Sequence, residues 1–351
     1  MHGATRGTTT TRTASIRTAA PAAATHAAAT HAAVTSTAAT SRAVRGRRLY
    51  LPTVVVAGLA CWLSWRGWLA LSGSGIARSV SAGRFELAGP VVLGFVALVM
   101  VAERLWPAER RPLLARGHLL DLGYLLVYVT LVVPLIVLIG SGFAGLLARL
   151  EPWLVLPRLP GVPGWCFIGL AVIGIDAVDW LTHLANHQIR ALWRLHAVHH
   201  SQEELSILTT YRAHPLVHVS FLISAIPILA IESNAAAPAA VLTAYACLGA
   251  LPHANVRWTY GPAGRVLISP SYHRLHHNAV GRLDINLGTV LAFWDMLSRR
   301  AVFPAAHAGR QVCATGLAGR PVPVEQTGPR PRFARTMLSQ LAEPFTSTST
   351  E

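Results

Sequence analysis

The histidines of this chain fall into clusters with the spacing of a helix turn. His183 and His187 lie in HLANH, His196, His199 and His200 in HAVHH, and His273, His276 and His277 in HRLHH. His253 stands alone before the third cluster, and His214 and His218 follow the second. The neutral imidazole is the commonest metal-binding side chain, and residues three and four apart share a helix face. Each cluster therefore aims two or three rings to one side. Eight or more imidazoles exceed the four ligands of a tetrahedral zinc site and suit two ions. A nitrogen-rich shell suits iron, zinc or copper better than magnesium or calcium. A single histidine at a membrane interface is an ordinary amphipathic anchor, but two HxxHH clusters and an HxxxH are not explained that way. His218 sits inside an apolar run, and His214 precedes Pro215, which by itself only marks the start of a helix.

Acidic residues are scarce, so their positions are informative. Asp176 and Asp179 lie inside an apolar stretch, where a carboxylate is costly and marks function or a partner. Asp179 is one helical turn before His183. The expectation is that these carboxylates accept the second N–H of a metal-binding ring, fixing its tautomer. Asp284, Asn286 and Asp295 follow the third cluster and qualify for the same role.

The elements that must hold these rings are apolar. Hydrophobic residues make up 52% of the 351 and charged residues only 13%, well under the quarter usual in soluble domains. Six stretches approach the roughly 20 residues of a spanning helix: 50–72, 86–102, 119–146, 163–182, 216–233 and 236–253. The third is long enough to be tilted or broken, with Gly140, Gly142 and Gly145 near its end. The fifth and sixth are joined by so short a link, before Pro238, that they form a tight hairpin. The expected fold is an all-α integral membrane protein, a multi-span bundle with a cytoplasmic helical cap carrying a dinuclear site.

The formal charge of +15 comes entirely from Arg, spread between spans and in both tails, with no basic groove interleaved with aromatics. That distribution argues against nucleic-acid binding. Counting Arg in the connections puts both termini and all three histidine clusters on the cytoplasmic side, in a multi-pass protein of a bacterial plasma membrane. Cys61, Cys166, Cys247 and Cys313 form no CxxC pair and support neither a disulfide scaffold nor a thiolate zinc site. Residues 1–48 are a Thr/Ala/Arg segment without acids, expected to be disordered. Its composition imitates a transit peptide, while a mis-assigned start or a bacterial cytoplasmic tail fits equally well. The expected division is 1–48 tail, 49–160 N-terminal spans, 161–303 catalytic membrane domain, and 304–351 a loosely ordered tail.

From Asp176 to Phe303 the sequence resembles the fatty acid hydroxylase / sterol desaturase superfamily. DAVDWLTHLANH, LWRLHAVHHS, YRAHP, HANV, SYHRLHHN, DINLG and FWD occur in that family's order and spacing. Two positions depart from it: Leu184 stands where Arg often follows the first histidine, and Val217 where Glu commonly follows the His-Pro step. The resemblance implies two Fe ions, with zinc as a possible substitute, and O2 as co-substrate for hydroxylating or desaturating a sterol, fatty acyl or alkylglycerol-type lipid. It implies His183, His187, His196, His199, His200, His253, His273, His276 and His277 as ligands. Behind them it implies Asp176, His214, Asn255, Asn278 and Asp284 as supports. Trp180, Trp193, Trp258 and Trp294 are candidates to frame the substrate's entrance. No fused cytochrome-b5-like domain is read ahead of the spans, so electrons are expected from a separate ferredoxin- or cytochrome-b5-like donor with its reductase. The rival readings are a zinc hydrolase or lyase using the same cap, against which no HExxH motif occurs, and a metal transporter or scaffold. A transporter should carry ligands near the bilayer midplane, whereas these fall at span ends.

Overall fold

In the computed structural model, residues 89–112, 115–136, 160–220, 239–304, 312–319 and 333–346 are described, with a few single positions between them. Among these residues the regular structure is helical, and isolated bridges (Pro107 to Val256, Leu267 to Leu291, Asn278 to Thr315) take the place of strands. Four of the six apolar stretches correspond to helices: α1 (Pro90–Leu105), α2 (Arg116–Val127), α3 (Gly164–Gln188) and α5 (Ala239–Ala250). Residues 50–72, most of 216–233, the 234–238 link and the tail 1–48 lie outside the described residues. Two helices, Gly117–Ile136 and Gly164–Gln188, are long and apolar enough to cross a bilayer.

Helix α2 passes through a π-helical turn, Tyr128–Val132, before it ends. Gly140, Gly142 and Gly145, where the sequence suggested a break, lie outside the described residues. Helix α3 begins after Pro163 and contains no proline, so it runs unbroken for 25 residues. A single extended residue, Ile189, ends it, and α4 (Arg190–His200) starts at once. This one-residue joint swings α4 back against α3 and brings the first two histidine clusters together. The third cluster rides on α6 (Pro270–His276), whose start is well specified. Ser269 Oγ accepts the Tyr272 N–H and Pro270 occupies the first turn, where its missing N–H costs nothing. His253 closes the short 3₁₀ turn that follows α5.

One apolar core joins α1 (Val96, Val99, Met100), α2 (Leu125, Val129, Val133) and the 3₁₀ turn Ile207–Tyr211 with Ala250, Ala254 and Val256. Apolar contact is non-directional, so hydrogen bonds decide how these elements register. Glu103 of α1 accepts the Ile207 and Asn255 N–H groups at 2.7 and 2.8 Å and ties the Ile207 turn and the loop after His253 to one helix.

The C-terminal segment departs from the expected loose tail. Within 304–351 a helix, Phe333–Thr346, packs onto the back of the second cluster. It follows the short α7 (Phe293–Leu297) and is α8 here. Its Phe333, Met337 and Leu341 meet Trp193, Ala197 and Val198 of α4 and Leu120 and Tyr124 of α2. Tyr124 donates to the fully buried Gln340 at 2.9 Å. The amphipathic period of this helix was overshadowed in sequence by its Pro/Gly-rich approach and by Pro344 inside it.

Candidate metal centre

The nine clustered histidines assemble into two adjoining groups. His183, His187, His196, His200 and His276 offer nitrogens that all lie within 4.8 Å of one another, and so do His199, His253, His273 and His277. The division does not follow the clusters. Rings four apart on a helix share a group (183 with 187, 196 with 200, 273 with 277), while rings three apart face different groups. Successive residues on a helix are rotated by about 100°, so positions i+3 and i+4 splay to opposite sides of i. α4 therefore gives two rings to the first group and His199 to the second. α6 gives two to the second and His276 to the first. Stacked pairs form the seam: His196 on His199, His200 on His277 and His273 on His276, with centroids 5.2, 4.6 and 5.0 Å apart.

The nitrogens converge as ligands of a common ion would. In the first group His200 Nε2 lies 3.2 Å from both His187 Nε2 and His196 Nε2. In the second, His253 Nε2 lies 3.1 Å from His199 Nε2 and from His273 Nε2. A ring nitrogen carries either one proton or one lone pair, so two such contacts at one atom make poor hydrogen bonds. Nitrogens about 2.1 Å from one ion stand about 3.0 Å apart at right angles and about 3.4 Å apart at the tetrahedral angle, which brackets the separations seen.

The outer nitrogens set the tautomer. His183 and His276 Nδ1 donate to the Leu287 and Ile285 carbonyls, both at 2.8 Å. His199 Nδ1 donates to the Arg212 carbonyl at 3.1 Å, and His253 Nδ1 to the Thr210 hydroxyl at 3.1 Å. A ring that donates through Nδ1 keeps a lone pair on Nε2. Two rings of each group are fixed this way. The inward Nε2 atoms of His183 and His276 are buried without a protein partner, the state a metal ion would relieve. Burial pushes His196, His199, His200, His273, His276 and His277 far below the ordinary value of 6.5, and neighbouring imidazoles push the same way. These rings are neutral at physiological pH and ready to bind a cation. An all-imidazole donor set fits iron, zinc or copper.

The residues expected behind the ligands do not touch them directly. Asp176 accepts the Val290 and Leu291 N–H groups and the Trp294 indole, at 3.0, 3.2 and 2.9 Å, and Tyr245 Oη lies 3.2 Å away. It pins the 285–294 segment to α3 instead of orienting a ring. Asp179 faces Tyr245 Oη at 2.7 Å. His214 lies under α8, its Nε2 donating to the Leu341 carbonyl at 3.2 Å. Asn255 clasps the backbone of Glu109, accepting its N–H at 3.1 Å and donating to its carbonyl at 2.9 Å. Asn278 caps the Val280 N–H at 3.2 Å. Asp284 is a partly exposed ion-pair partner of Arg282 and Arg300. Each is engaged by a backbone group, a hydroxyl, an indole or a cation rather than by a ligand ring. The tryptophans are likewise engaged. Trp180 and Trp294 donate to Asp295 and Asp176 at 2.9 Å, Trp258 packs on the core, and Trp193 leans on His187, His196 and His200.

Three further residues hold the segments around the centre: Asp295 and Asn286, which the sequence marks as candidate supports, and Asp121, which it does not single out. Asp121, wholly buried in α2, accepts Arg212 Nε and Gln202 Nε2, both at 2.6 Å. Asp295 accepts the Leu287 and Gly288 N–H groups at 2.9 and 2.8 Å and the Tyr272 hydroxyl at 3.1 Å. A side chain at position 288 would press on Asp295 and the Leu291 carbonyl, so glycine is needed there for the backbone to reach the carboxylate. Asn286, held at φ 55° between the Tyr272 carbonyl and Val302, turns the chain just ahead of it. Asp121 was findable, as the sole acid of an apolar stretch, by the reasoning that singled out Asp176.

Comparison with known proteins agrees with this centre. The fatty acid hydroxylase family pattern matches residues 168–299, which contain all nine histidines. The ornithine lipid hydroxylase OlsE of Rhizobium tropici is 27% identical over 263 residues, 73% of this chain and 74% of that protein. The alkylglycerol monooxygenase of Caenorhabditis elegans is 29% identical over 171 residues, 42% of this chain and 29% of that protein. Its counterpart in Homo sapiens is 28% identical over 149 residues, 40% and 31% of the two chains. No solved structure shows a significant match. The resemblance to the fatty acid hydroxylase / sterol desaturase superfamily stands, and the relatives are oxidoreductases by name.

Proposed function

We propose that this chain, which carries the histidine pattern of the fatty acid hydroxylase / sterol desaturase superfamily, is an O2-dependent membrane lipid hydroxylase with two iron ions. The observation that carries this reading is the pair of converging imidazole groups, five and four strong, with lone pairs turned inward. His183, His187, His196, His200 and His276 hold one ion, and His199, His253, His273 and His277 the other. An unactivated C–H bond yields to no side chain, and bound iron supplies the activation of O2 that such an attack requires.

The protein's own residues do the rest. Carbonyls of Ile285, Leu287 and Arg212 fix the ring tautomers, and burial keeps the donors neutral and dry. His183 and His187, on α3, are half-buried, whereas the other seven rings are buried. The α3 side is therefore the side from which a substrate carbon approaches. Because α3 is also a candidate span, the substrate is a lipid reaching the centre from the bilayer. The relatives are named hydroxylases and monooxygenases, which favours hydroxylation over desaturation and an ornithine-lipid or alkylglycerol-like substrate over a sterol. The Arg distribution favours a centre on the cytoplasmic face of a multi-pass bacterial membrane protein. A separate ferredoxin- or cytochrome-b5-like donor supplies electrons.

A zinc hydrolase would need a carboxylate free to act as base. Asp176 of α3 and Asp295 of α7, both buried, are each already engaged by several donors. The deciding experiment is metal analysis and Mössbauer spectroscopy of detergent-purified protein grown with labelled iron, with O2 uptake measured against lipid product. Two coupled irons and product-linked O2 uptake are expected. Stoichiometric zinc after iron-replete growth would overturn the reading.

A further inference from the structure

The two imidazole groups take their outward hydrogen-bond acceptors from two different turns of the chain. In the first group, His183 and His276 donate to the carbonyls of Leu287 and Ile285. In the second, His199 donates to the Arg212 carbonyl and His253 to the Thr210 hydroxyl. Neither turn holds its own shape by regular α-helix or strand pairing. Buried carboxylates grip both: Asp176 takes the Val290 and Leu291 amides after the first turn and Glu103 the Ile207 amide at the start of the second, while Asp295 and Asp121 bond closest to the acceptors themselves.

Asp295 grips the first turn. It collects the amides of Leu287 and Gly288, the Tyr272 hydroxyl and, across to α3, the Trp180 indole at 2.9 Å. Asp121 grips the second. Its two oxygens meet Arg212 Nε, Gln202 Nε2 and, at 3.3 Å, Thr209 Oγ1, so the whole stretch from Thr209 to Arg212 hangs from α2. Arg212 adds a contact from Nη1 to Ser201 Oγ at 3.3 Å, beside the end of the second cluster. Both carboxylates are completely buried, and breaking a buried, fully bonded carboxylate network has consequences well beyond those of a surface pair.

We infer that Asp121 and Asp295 are positioning residues that act separately, Asp121 setting the His199/His253/His273/His277 site and Asp295 the His183/His187/His196/His200/His276 site. Neither touches a ring. Asp295 holds the Leu287 and Gly288 amides, and Asp121 holds the side chains of Thr209 and Arg212, which flank Thr210, whose hydroxyl donates to the Ala250 carbonyl. Loss of such an outer partner weakens metal binding by about 10- to 100-fold. The inference rests on the two-ion reading above and divides it into two halves that fail independently.

The test is a chelator titration of purified, iron-loaded protein, with iron per chain as the readout. Wild-type protein should hold two ions. In Asp121→Asn one ion should leave at about 10- to 100-fold lower chelator concentration while the other behaves as in wild type. Asp295→Asn should do the same. His277→Ala assigns the sites. Added to Asp121→Asn it should weaken no further ion, because the second site is already the weakened one. Added to Asp295→Asn it should weaken both ions. If Asp121→Asn does not fold, Thr210→Val removes only the hydroxyl facing His253 and should weaken the same single ion. Two ions in wild type that weaken together in each variant, or that do not weaken at all, would overturn separate positioning. Fewer than two ions in wild type would instead overturn the two-ion reading itself.

Discussion

His276 and His277 are consecutive in the chain, yet their rings stand 89° apart and belong to different imidazole groups. His276 completes the set on α3 and α4, and His277 the set with His199, His253 and His273. Their substitutions should therefore differ. His276→Ala leaves four donors in its group, and His277→Ala leaves three in the other. After dialysis against a moderate chelator, the His277 variant should retain about one ion and the His276 variant more than that, since four imidazoles still fill a tetrahedral shell. Equal retention would contradict the division.

The six buried rings at 196, 199, 200, 273, 276 and 277 make the metal-free protein sensitive to acid. Their folded-state values lie far below 6.5 because burial disfavours the charged ring. In the unfolded chain they titrate near about 6.5. Below that pH the unfolded state binds protons that the folded state refuses, so stability is complete above it and falls as pH drops through it. Thermal melts of chelated protein should be flat above about pH 7 and decline steeply below about pH 6.5. A transition temperature unchanged down to about pH 5.5 would show that the folded rings are not held neutral.

Deleting α8 should unseat α4. The deletion removes Met337 and Leu341 from Trp193, Ala197 and Val198, along with the Gln340 acceptor of Tyr124 and the Leu341 carbonyl facing His214. Burial of one large apolar side chain contributes roughly 1.5–3 kcal/mol, so a chain ending at 332 should melt markedly lower and release metal faster. A milder probe is Tyr124→Phe, which strips Gln340 of its hydroxyl partner at a cost of about 1–3 kcal/mol. Unchanged melting in both variants would mean that α8 is an appendage.

Two acids that look alike in sequence should behave oppositely. Asp284 pairs with Arg282 and Arg300 near the surface, and Asp284→Asn should change stability by no more than about 0.5 kcal/mol. Asp176 is buried and receives two backbone amides and an indole. Asp176→Asn turns an amide N–H toward donors, and a loss of about 1–3 kcal/mol for each group left unpaired is expected. Denaturant titration of the two variants checks both, and a large effect at Asp284 would restore it as a support of the centre.

How much of this was legible in the chain follows from what is local and what is not. The i, i+4 spacing of His183 and His187, of His196 and His200, and of His273 and His277 is fixed by helix geometry, so the sequence determined that these rings pair, that they outnumber the ligands of one tetrahedral ion, and that the first cluster ends an apolar helix. Helices α1, α2, α3 and α5 were readable for the same reason, since a run of apolar residues has a period of its own. Which group His199 and His276 join was decided by how α4 and α6 face each other across a seam of stacked rings. That relationship lies between segments more than 70 residues apart and leaves no mark on spacing. The supports were misread for a related reason. A buried carboxylate near a histidine in sequence looks like its partner, but Asp176 and Asp295 are closer in space to backbone amides of the 287–291 turn, and Asp121 comes from a helix some 80 residues before the ring it serves. Tertiary structure settles such pairings because a carboxylate bonds the donors that packing of distant segments brings within reach, here the 287–291 amides and the Arg212 guanidinium.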